Sequence, residues 1–500
     1  MAVATRILEN FVGGRWVPAS SDRTVDDLNP ADPSDVLARI PLSSAEDARA
    51  AIAAAWDAFP AWRAMSPVRR GQILIRASRI LEDRQEEIAQ LITREQGKTL
   101  AESRGEMPRA IQFWGWMGYQ GGSIQGVTAP AEADEVMALT LREPLGVVSL
   151  ITPWNFPVNI PGWKLASALV CGNTVVLKPA QLTPLCAVAL VEALVEAGIP
   201  DGVVNLVLGS GAEVGDVLVT DERVKAISFT GSTATGLGIN TKAAPLGKKV
   251  QAEMGGHNAV IVLEDADLDR AATGVVAAGF GTTGQRCTAC SRVIVDEAVA
   301  DALVDRLVDG AQRLRLGPGL DESTEVGPLI NARAVEKVER YVKIGLDEGA
   351  ALLCGGERAN GEGLDHGHFF QPTMFDGVKP MDRLGQEEIF GPLLSIIRVN
   401  GYDAAVTALN QIRYGLSSSI FTRDTNLAFQ AMHDFETGIV YINAGTIGAE
   451  THLPFGGTKG TGNGHREAGH AALDTFTEWK AIYVDYSGHL QRAQIDNQPD

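Results

Sequence analysis

Cysteine is scarce in this chain, five residues in 500, and their spacings do not make a disulfide framework. The expected home is a reducing compartment, the cytoplasm. Long apolar runs are missing too. No stretch approaches the length of a membrane-crossing helix, and the start Met1-Ala-Val-Ala-Thr-Arg6 lacks the apolar core of a signal peptide. No membrane partner is expected. Positive charge is in deficit, 43 Lys and Arg against 62 Asp and Glu, for a net charge of −19. Such a surface repels phosphate backbones and anionic lipid, which argues against a nucleic-acid partner. A local basic pocket in an acidic shell would still admit a small anion. Tandem repeats and low-complexity linkers are also lacking.

What is present is the composition of a globular protein, 45% apolar and 21% charged. A chain of this length exceeds one simple core, so two or three domains are expected. Residues 8–42 hold short β-like pieces, such as Asn10-Phe-Val-Gly-Gly-Arg-Trp-Val17, broken at Asn29-Pro-Ala-Asp-Pro33. Ser43-Ser-Ala-Glu46 offers a cap and an acidic first turn, and helical spacing runs from Ala45 to Phe59. A second helical stretch covers Pro67 to Gln96 and a third Leu100 to Tyr119. Ser123 to Arg142 reads as an exposed β-ribbon. From Gly146 short β-branched runs alternate with helices. The strands are Val147–Ile151, Thr174–Leu177, Val203–Leu208 and Val224–Phe229; the helices are Gly162–Val170, Leu185–Ala197 and Ala212–Val219. That alternation predicts a parallel sheet with helices on both faces. A second such block starts near Val260-Ile-Val-Leu263 and runs to Val440, with a strand over Ser291–Asp296 and a helix over Ala298–Leu314.

The stretch Gly279-Phe-Gly-Thr-Thr-Gly-Gln-Arg-Cys287-Thr-Ala-Cys290 stands between a buried helical segment, Ala271–Ala278, and that strand. A cysteine flanked by glycines and small hydroxyl residues lets a small molecule approach, and a thiolate is the strongest side-chain nucleophile near neutral pH. An isolated cysteine is more often a small buried hydrophobe; the company of other motifs argues otherwise. The Cys-x-x-Cys spacing of Cys287 and Cys290 also admits a metal or redox pair, but no second Cys/His pair at ligand spacing accompanies it, so no metal is expected. Phe229-Thr-Gly231-Ser232-Thr-Ala-Thr-Gly236 follows a strand, where glycine permits close backbone approach and a helix start offers N–H groups to phosphate. An ordinary strand-to-helix turn reads the same way. Gly209-Ser-Gly211-Ala-Glu-Val-Gly215 is a looser fingerprint.

Together with Trp154-Asn155-Phe156-Pro157, Gln251-Ala-Glu253-Met-Gly-Gly256 and Glu387-Glu388-Ile-Phe390-Gly-Pro392, these motifs resemble the aldehyde dehydrogenase superfamily in order and spacing, from about Leu8 to Tyr486. The resemblance implies an α/β fold with an atypical Rossmann cofactor domain, an α/β catalytic domain and a β-ribbon oligomerisation element. The implied bounds are 1–122 and 143–253 for cofactor binding and 254–440 for catalysis. Residues 123–142 and 479–500 form ribbon and tail, and 441–478 a specificity loop returning to the cofactor domain. It implies oxidation of an aldehyde with NAD or NADP. Cys287 forms a thiohemiacetal, its oxyanion is held by Asn155 and the Cys287 N–H, and Glu253 activates the water that hydrolyses the thioester. The presence of Glu253 argues against a CoA-acylating enzyme. His257 departs from the Lys, Asn or Gln that relatives more often carry. For the cofactor the resemblance implies Ile151, Thr152, Trp154, Lys178, Gln181, Gly211, Gly215, Phe229, Gly231, Ser232, Glu388 and Phe390. Gln181 stands where many NAD-preferring relatives have Glu, so NADP should be tolerated.

For the substrate the resemblance implies Phe113, Trp114, Met117, Arg286, Thr288, Glu450, His452 and Phe455. The loop Asn443–Gly457 is similar in part to α-aminoadipic and in part to α-ketoglutarate semialdehyde dehydrogenases. A semialdehyde and a broad range of aliphatic aldehydes both remain open. So do a catalytically idle protein retaining the fold and a nucleotide-free Cys/Glu thioesterase. A dimer or tetramer is expected through the ribbons. The tail after Tyr486, with Leu490, Ala493 and Ile495 as apolar anchors, is expected to dock on protein.

Overall fold

Two seven-stranded sheets organise the chain, whose computed structural model describes residues 6–361 and 363–491. The first sheet runs, from edge to edge, Lys249–Glu253, Val224–Thr230, Val147–Ile151, Thr174–Lys178, Val204–Leu206, Asn10–Val12 and Arg15–Val17. Its first five strands are parallel. They are nearly continuous runs of buried Val, Leu and Ile, as a sheet covered on both faces requires. The N-terminal hairpin adds an antiparallel edge, turning at Gly13 and Gly14, whose φ values of 59° and 85° favour glycine. Helix Asn159–Cys171 is buried along its whole length, and helices Ala45–Ala64, Pro184–Glu196, Gly211–Thr220 and Thr233–Ala243 add to the covering.

The second sheet runs Ala351–Cys354, Thr373–Asp376, Leu393–Val399, Cys290–Asp296, Asn258–Val262, Ser417–Phe421 and Ile439–Ile442. Only Ala351–Cys354 is antiparallel. A third sheet, Thr477–Asp485 with Val136–Pro144 and Thr128–Pro130, forms an antiparallel ribbon.

Several boundaries differ from the sequence reading. The helical stretch over 67–96 is two helices, Pro67–Asp83 and Gln85–Gln96, broken at Arg84 with φ −100° and ψ 8°. Leu81 and Ile88 are both buried at a heptad interval, so the apolar period continues across the break and conceals it. The strand over 203–208 shrinks to Val204–Leu206. The ribbon over 123–142 begins only at Thr128 and continues to Pro144. Leu490 at the start of the tail is 90% exposed, while Gln491 Nε2 donates to the Asp134 carbonyl at 2.7 Å; Ala493 and Ile495 lie outside the described residues.

Candidate active site

Cys287 lies in the turn between helix Leu268–Phe280 and strand Cys290–Asp296. Thr282 and Thr283 on that turn take left-handed φ values of 51° and 57°, strained for β-branched residues. Gly284 is left-handed too, and a Cβ there would collide with the Gly391 carbonyl. The turn is therefore forced against neighbouring backbone. The Gly255-Gly256 turn reaches it from the first sheet, where a Cβ on Gly256 would stand 2.6 Å from the Cys287 carbonyl oxygen. Asn258 Nδ2 donates to that same oxygen at 2.7 Å.

A cavity of about 440 Å³ opens on the Cys287 side chain. Glu253, at the end of its strand, lines it as well. One Glu253 oxygen accepts from the Gly457 N–H at 3.2 Å, and the other is buried without a partner. Burial first, then the nearby Glu467, holds this carboxyl well above its usual range. Lys164 sits behind it, donating to Ser228 Oγ at 2.7 Å, to Gln251 Oε1 at 3.1 Å and to Glu467. Burial also pushes the Cys287 thiol up to about 12, aided by Glu388, Glu467 and Glu253.

Asn155 lies between strand Val147–Ile151 and helix Asn159–Cys171, and its Nδ2 donates to the Gln285 carbonyl at 3.1 Å. Its backbone is pinned by a buried ion pair the sequence did not reveal. Lys98 Nζ donates to the Asn155 carbonyl at 2.8 Å and to Glu106 Oε2 at 2.7 Å. The other Glu106 oxygen accepts the Val158 and Asn159 N–H groups at 3.0 and 2.9 Å, filling the start of the following helix.

The remaining candidates divide. Arg286, Thr288 and Phe455 line the cavity. Phe113, Trp114 and Met117 do not: all three are 0% exposed and belong to the core. The cavity takes the face of helix Leu100–Gln120 that carries Glu102, Gly105, Glu106 and Arg109. Phe113 stands behind Trp163, which is part of the wall, with ring centroids 5.8 Å apart. Glu450 and His452 are exposed and outside the lining. The Asn443–Gly457 loop reaches the site instead through Ile447, Gly448 and Ala449, and Thr446 Oγ1 donates to the Thr288 carbonyl at 2.7 Å. Cys290 faces away from Cys287. Its thiol donates to the Arg292 carbonyl and packs in the core under helix Leu268–Phe280, which gives no support to a Cys287–Cys290 disulfide. His257 is buried, with Nε2 donating to the Leu384 carbonyl at 3.0 Å.

A second cleft, of about 410 Å³, lies at the carboxyl ends of the first sheet's strands, where doubly wound sheets bind ligands. Ile151, Lys178, Gly211 and Gly215 line it, joined by Thr235 and Lys242. Side chains added at Gly211 or Gly215 would meet only open space. The buried Lys178 ammonium donates to the Pro179 carbonyl and is pushed down to about 8 by burial, with no carboxylate paired to it among the described residues. An unpaired buried cation in an open cleft fits a ribose and phosphate ligand such as a dinucleotide. Ser232 caps helix Thr233–Ala243 beside this cleft, while Phe229 lies in the core with Gly231 against its ring. Gln181 is not in the cleft lining. It borders a separate cavity of about 90 Å³ with Asp27 and Leu182. Thr152 is buried, and Trp154 meets Phe390 edge-on at 5.5 Å. Glu388 Oε1 accepts the Gly256 N–H at 2.9 Å, and its other oxygen lies where a Gly255 Cβ would stand.

The profile of the aldehyde dehydrogenase family matches residues 16–482. The chain is 42% identical over 479 residues to the α-ketoglutarate semialdehyde dehydrogenase of Haloferax volcanii, covering 96% of this chain and 99% of that one. It is 41% identical over 475 residues to the α-ketoglutaric semialdehyde dehydrogenase of Bacillus subtilis, covering 95% and 97%. The crystal structure of betaine aldehyde dehydrogenase from Staphylococcus aureus with NAD+ superposes with a TM-score of 0.94, at 32% identity over 96% of this chain and 95% of that one. The chain therefore belongs to the aldehyde dehydrogenase family, and it oxidises aldehydes to carboxylic acids with NAD or NADP.

Proposed function

We propose that Cys287 gives its thiol proton to water and that the thiolate Sγ attacks the aldehyde carbon, giving a thiohemiacetal whose oxyanion takes hydrogen bonds from an Asn155 amide N–H and the Cys287 N–H. The dinucleotide, when bound, supplies a hydride acceptor, and the thiohemiacetal becomes a thioester on Cys287. Glu253 then takes a proton from water. The hydroxide equivalent attacks the thioester, the C–S bond breaks, and the acid leaves with the thiol restored. The observation that carries this reading is that Cys287, in the turn leading into a second-sheet strand, and Glu253, at the end of a first-sheet strand, line one cavity. Burial holds Glu253 above the usual carboxylate range, so once ionised it is a stronger proton acceptor than a solvated carboxylate.

The substrate is an aldehyde with a carboxylate at its far end. Two relatives above 40% identity carry the names of α-ketoglutarate semialdehyde dehydrogenases, which supports that class over unbranched alkanals. The test is reduced-cofactor absorbance with semialdehydes and alkanals of equal length, each with NAD+ and with NADP+. A preference for the semialdehydes is the expected result, and equal rates would restore the broad-range reading. The enzyme acts in the cytoplasm as a dimer or tetramer. Five free thiols support the compartment, and exposed Trp479 and Tyr483 on the ribbon support self-association.

A further inference from the structure

The turn that carries Cys287 is strained, so it needs anchors. Thr282 and Thr283 are buried and take left-handed φ values of 51° and 57°, which β-branched residues disfavour. The far limb of the turn is anchored three times. Thr283 Oγ1 donates to the Gly327 carbonyl at 2.8 Å, Gln285 Oε1 accepts the Ile330 N–H at 2.9 Å, and the Gln285 carbonyl accepts from Asn155 Nδ2 at 3.1 Å. The near limb begins where helix Leu268–Phe280 ends. Among the described residues, its side-chain ties to the rest of the chain run to one group, the Glu102 carboxylate.

Glu102 Oε1 accepts the Thr282 N–H at 2.5 Å, the Thr282 hydroxyl at 3.2 Å and Arg286 Nη2 at 3.0 Å. Arg286 also donates from Nε to Thr282 Oγ1 at 2.9 Å. One oxygen thus gathers two donors from the strained residue and one from the neighbour of Cys287. Hydrogen bonds to an ionised acceptor are about twice as strong as neutral ones.

The carboxylate is already fixed before it meets the turn. Glu102 is the third residue of helix Leu100–Gln120, and its Oε2 accepts the Thr99 N–H at 3.1 Å and the Thr99 hydroxyl at 3.2 Å, one half of a capping box. The box sets the Glu102 rotamer, and the second oxygen is left to reach across to Thr282. Little side-chain freedom remains to be lost in that contact.

We propose that Glu102 is a positioning residue for Cys287: the capping box of one helix holds the strained turn that aims the thiol. This rests on the reading above that Cys287 is the nucleophile. Without the tie, Thr282 relaxes out of the left-handed region and Sγ shifts against the Asn155 amide. A shift of about 1 Å is enough to cost ~100-fold in rate.

The test measures kcat at saturating glutarate semialdehyde, KM for the better of NAD+ and NADP+, and backbone hydrogen exchange over residues 281–290. The proteins are wild type, Thr99→Ala, Glu102→Gln, Glu102→Ala and Cys287→Ala. Glu102→Ala should lower kcat about 10- to 100-fold, leave KM for the cofactor unchanged and speed exchange in the turn. Glu102→Gln keeps an acceptor for the Thr282 N–H without the charge, so it should recover part of the loss. Thr99→Ala weakens the helix start, but the residue 99 N–H still holds Oε2, so its kcat should match wild type. An unchanged kcat in Glu102→Ala, or an equal fall in Thr99→Ala, overturns the assignment and leaves Glu102 as a helix cap. Should Glu102→Ala fail to fold, Glu102→Gln against Thr99→Ala decides: lower kcat with faster exchange in Gln alone supports the assignment, and equal values overturn it. Turnover retained in Cys287→Ala overturns the nucleophile reading itself, and the inference with it.

Discussion

A thiol held up to about 12 is a weak nucleophile at neutral pH, and the cause at Cys287 is local: removal from water and three carboxyl groups nearby. In the cofactor-free enzyme, inactivation by iodoacetamide should therefore rise about tenfold per pH unit from pH ~7 to ~10 without a plateau. A plateau near pH ~8 in the measured rates would mean that Cys287 is already ionised there. Glu253 is raised for related reasons, so it becomes a carboxylate base only as pH climbs through its elevated value. Glu253→Gln should give a burst of reduced cofactor followed by slow turnover, and the steady rate should lose its rise with pH. Loss of the burst in stopped-flow traces would place Glu253 before hydride transfer. The same shift acts on stability. The native state holds its Glu253 proton where the unfolded chain releases it, so this contribution is full below about pH 4.5 and declines as pH rises through the folded value. At this scale the candidates for the reactive groups were legible, and Cys287 and Glu253 do line one cavity, because such chemistry needs particular residue types at particular spacings. The walls were not. Phe113, Trp114 and Met117 face the core, and the helix turn before them faces the cavity, a rotation that residue type does not encode.

At the scale of elements, the site is a junction. The Cys287 turn, the Glu253 strand end, the Asn155 segment and the Asn443–Gly457 loop come from different parts of the chain and are tied by buried polar contacts. The Lys98–Glu106 pair is the most deeply buried ion pair among the described residues, with both side chains 0% exposed. Lys98→Met leaves Glu106 buried without its cation and should lower stability by roughly 3–5 kcal/mol. It should also reduce kcat, since the Asn155 carbonyl loses its anchor. Denaturant melts and steady-state kinetics on the same variant check both; a stable variant with unchanged kcat would reduce the pair to packing. The sequence showed Lys98 and Glu106 only as charges beside a helix start. Their partnership requires the helix to cross the Trp154–Pro157 segment, which no local pattern states.

At the scale of the whole molecule, the ribbon Thr477–Asp485 with Val136–Pro144 exposes Trp479 at 54%, Tyr483 at 72% and Met137 at 50%. Ile439–Ile442 ends the second sheet with one unpaired side, and Phe429 nearby in the chain is 62% exposed. Open strand edges and exposed aromatics of this kind are surfaces for another chain. Replacing both Trp479 and Tyr483 with Glu should convert the enzyme to smaller species in sedimentation velocity while leaving its helical circular dichroism intact. Sedimentation identical to wild type would move the interface elsewhere.

The sequence alone determined the parallel α/β architecture, through alternating β-branched runs and helices, because a strand buried on both faces has no polar positions to hide. It also determined the family, and it pointed to Cys287 and Glu253, since glycines and reactive residues leave a signature wherever backbone and ligand must approach closely. The tertiary structure decided which cavity each residue faces. It set Gln181 beside a small separate cavity, packed the Cys290 thiol in the core against the Arg292 carbonyl and split residues 67–96 at Arg84. It also tied Glu102 to the Cys287 turn. These outcomes depend on contacts between residues far apart in the chain, and composition, period and spacing are blind to which distant partner a side chain will meet.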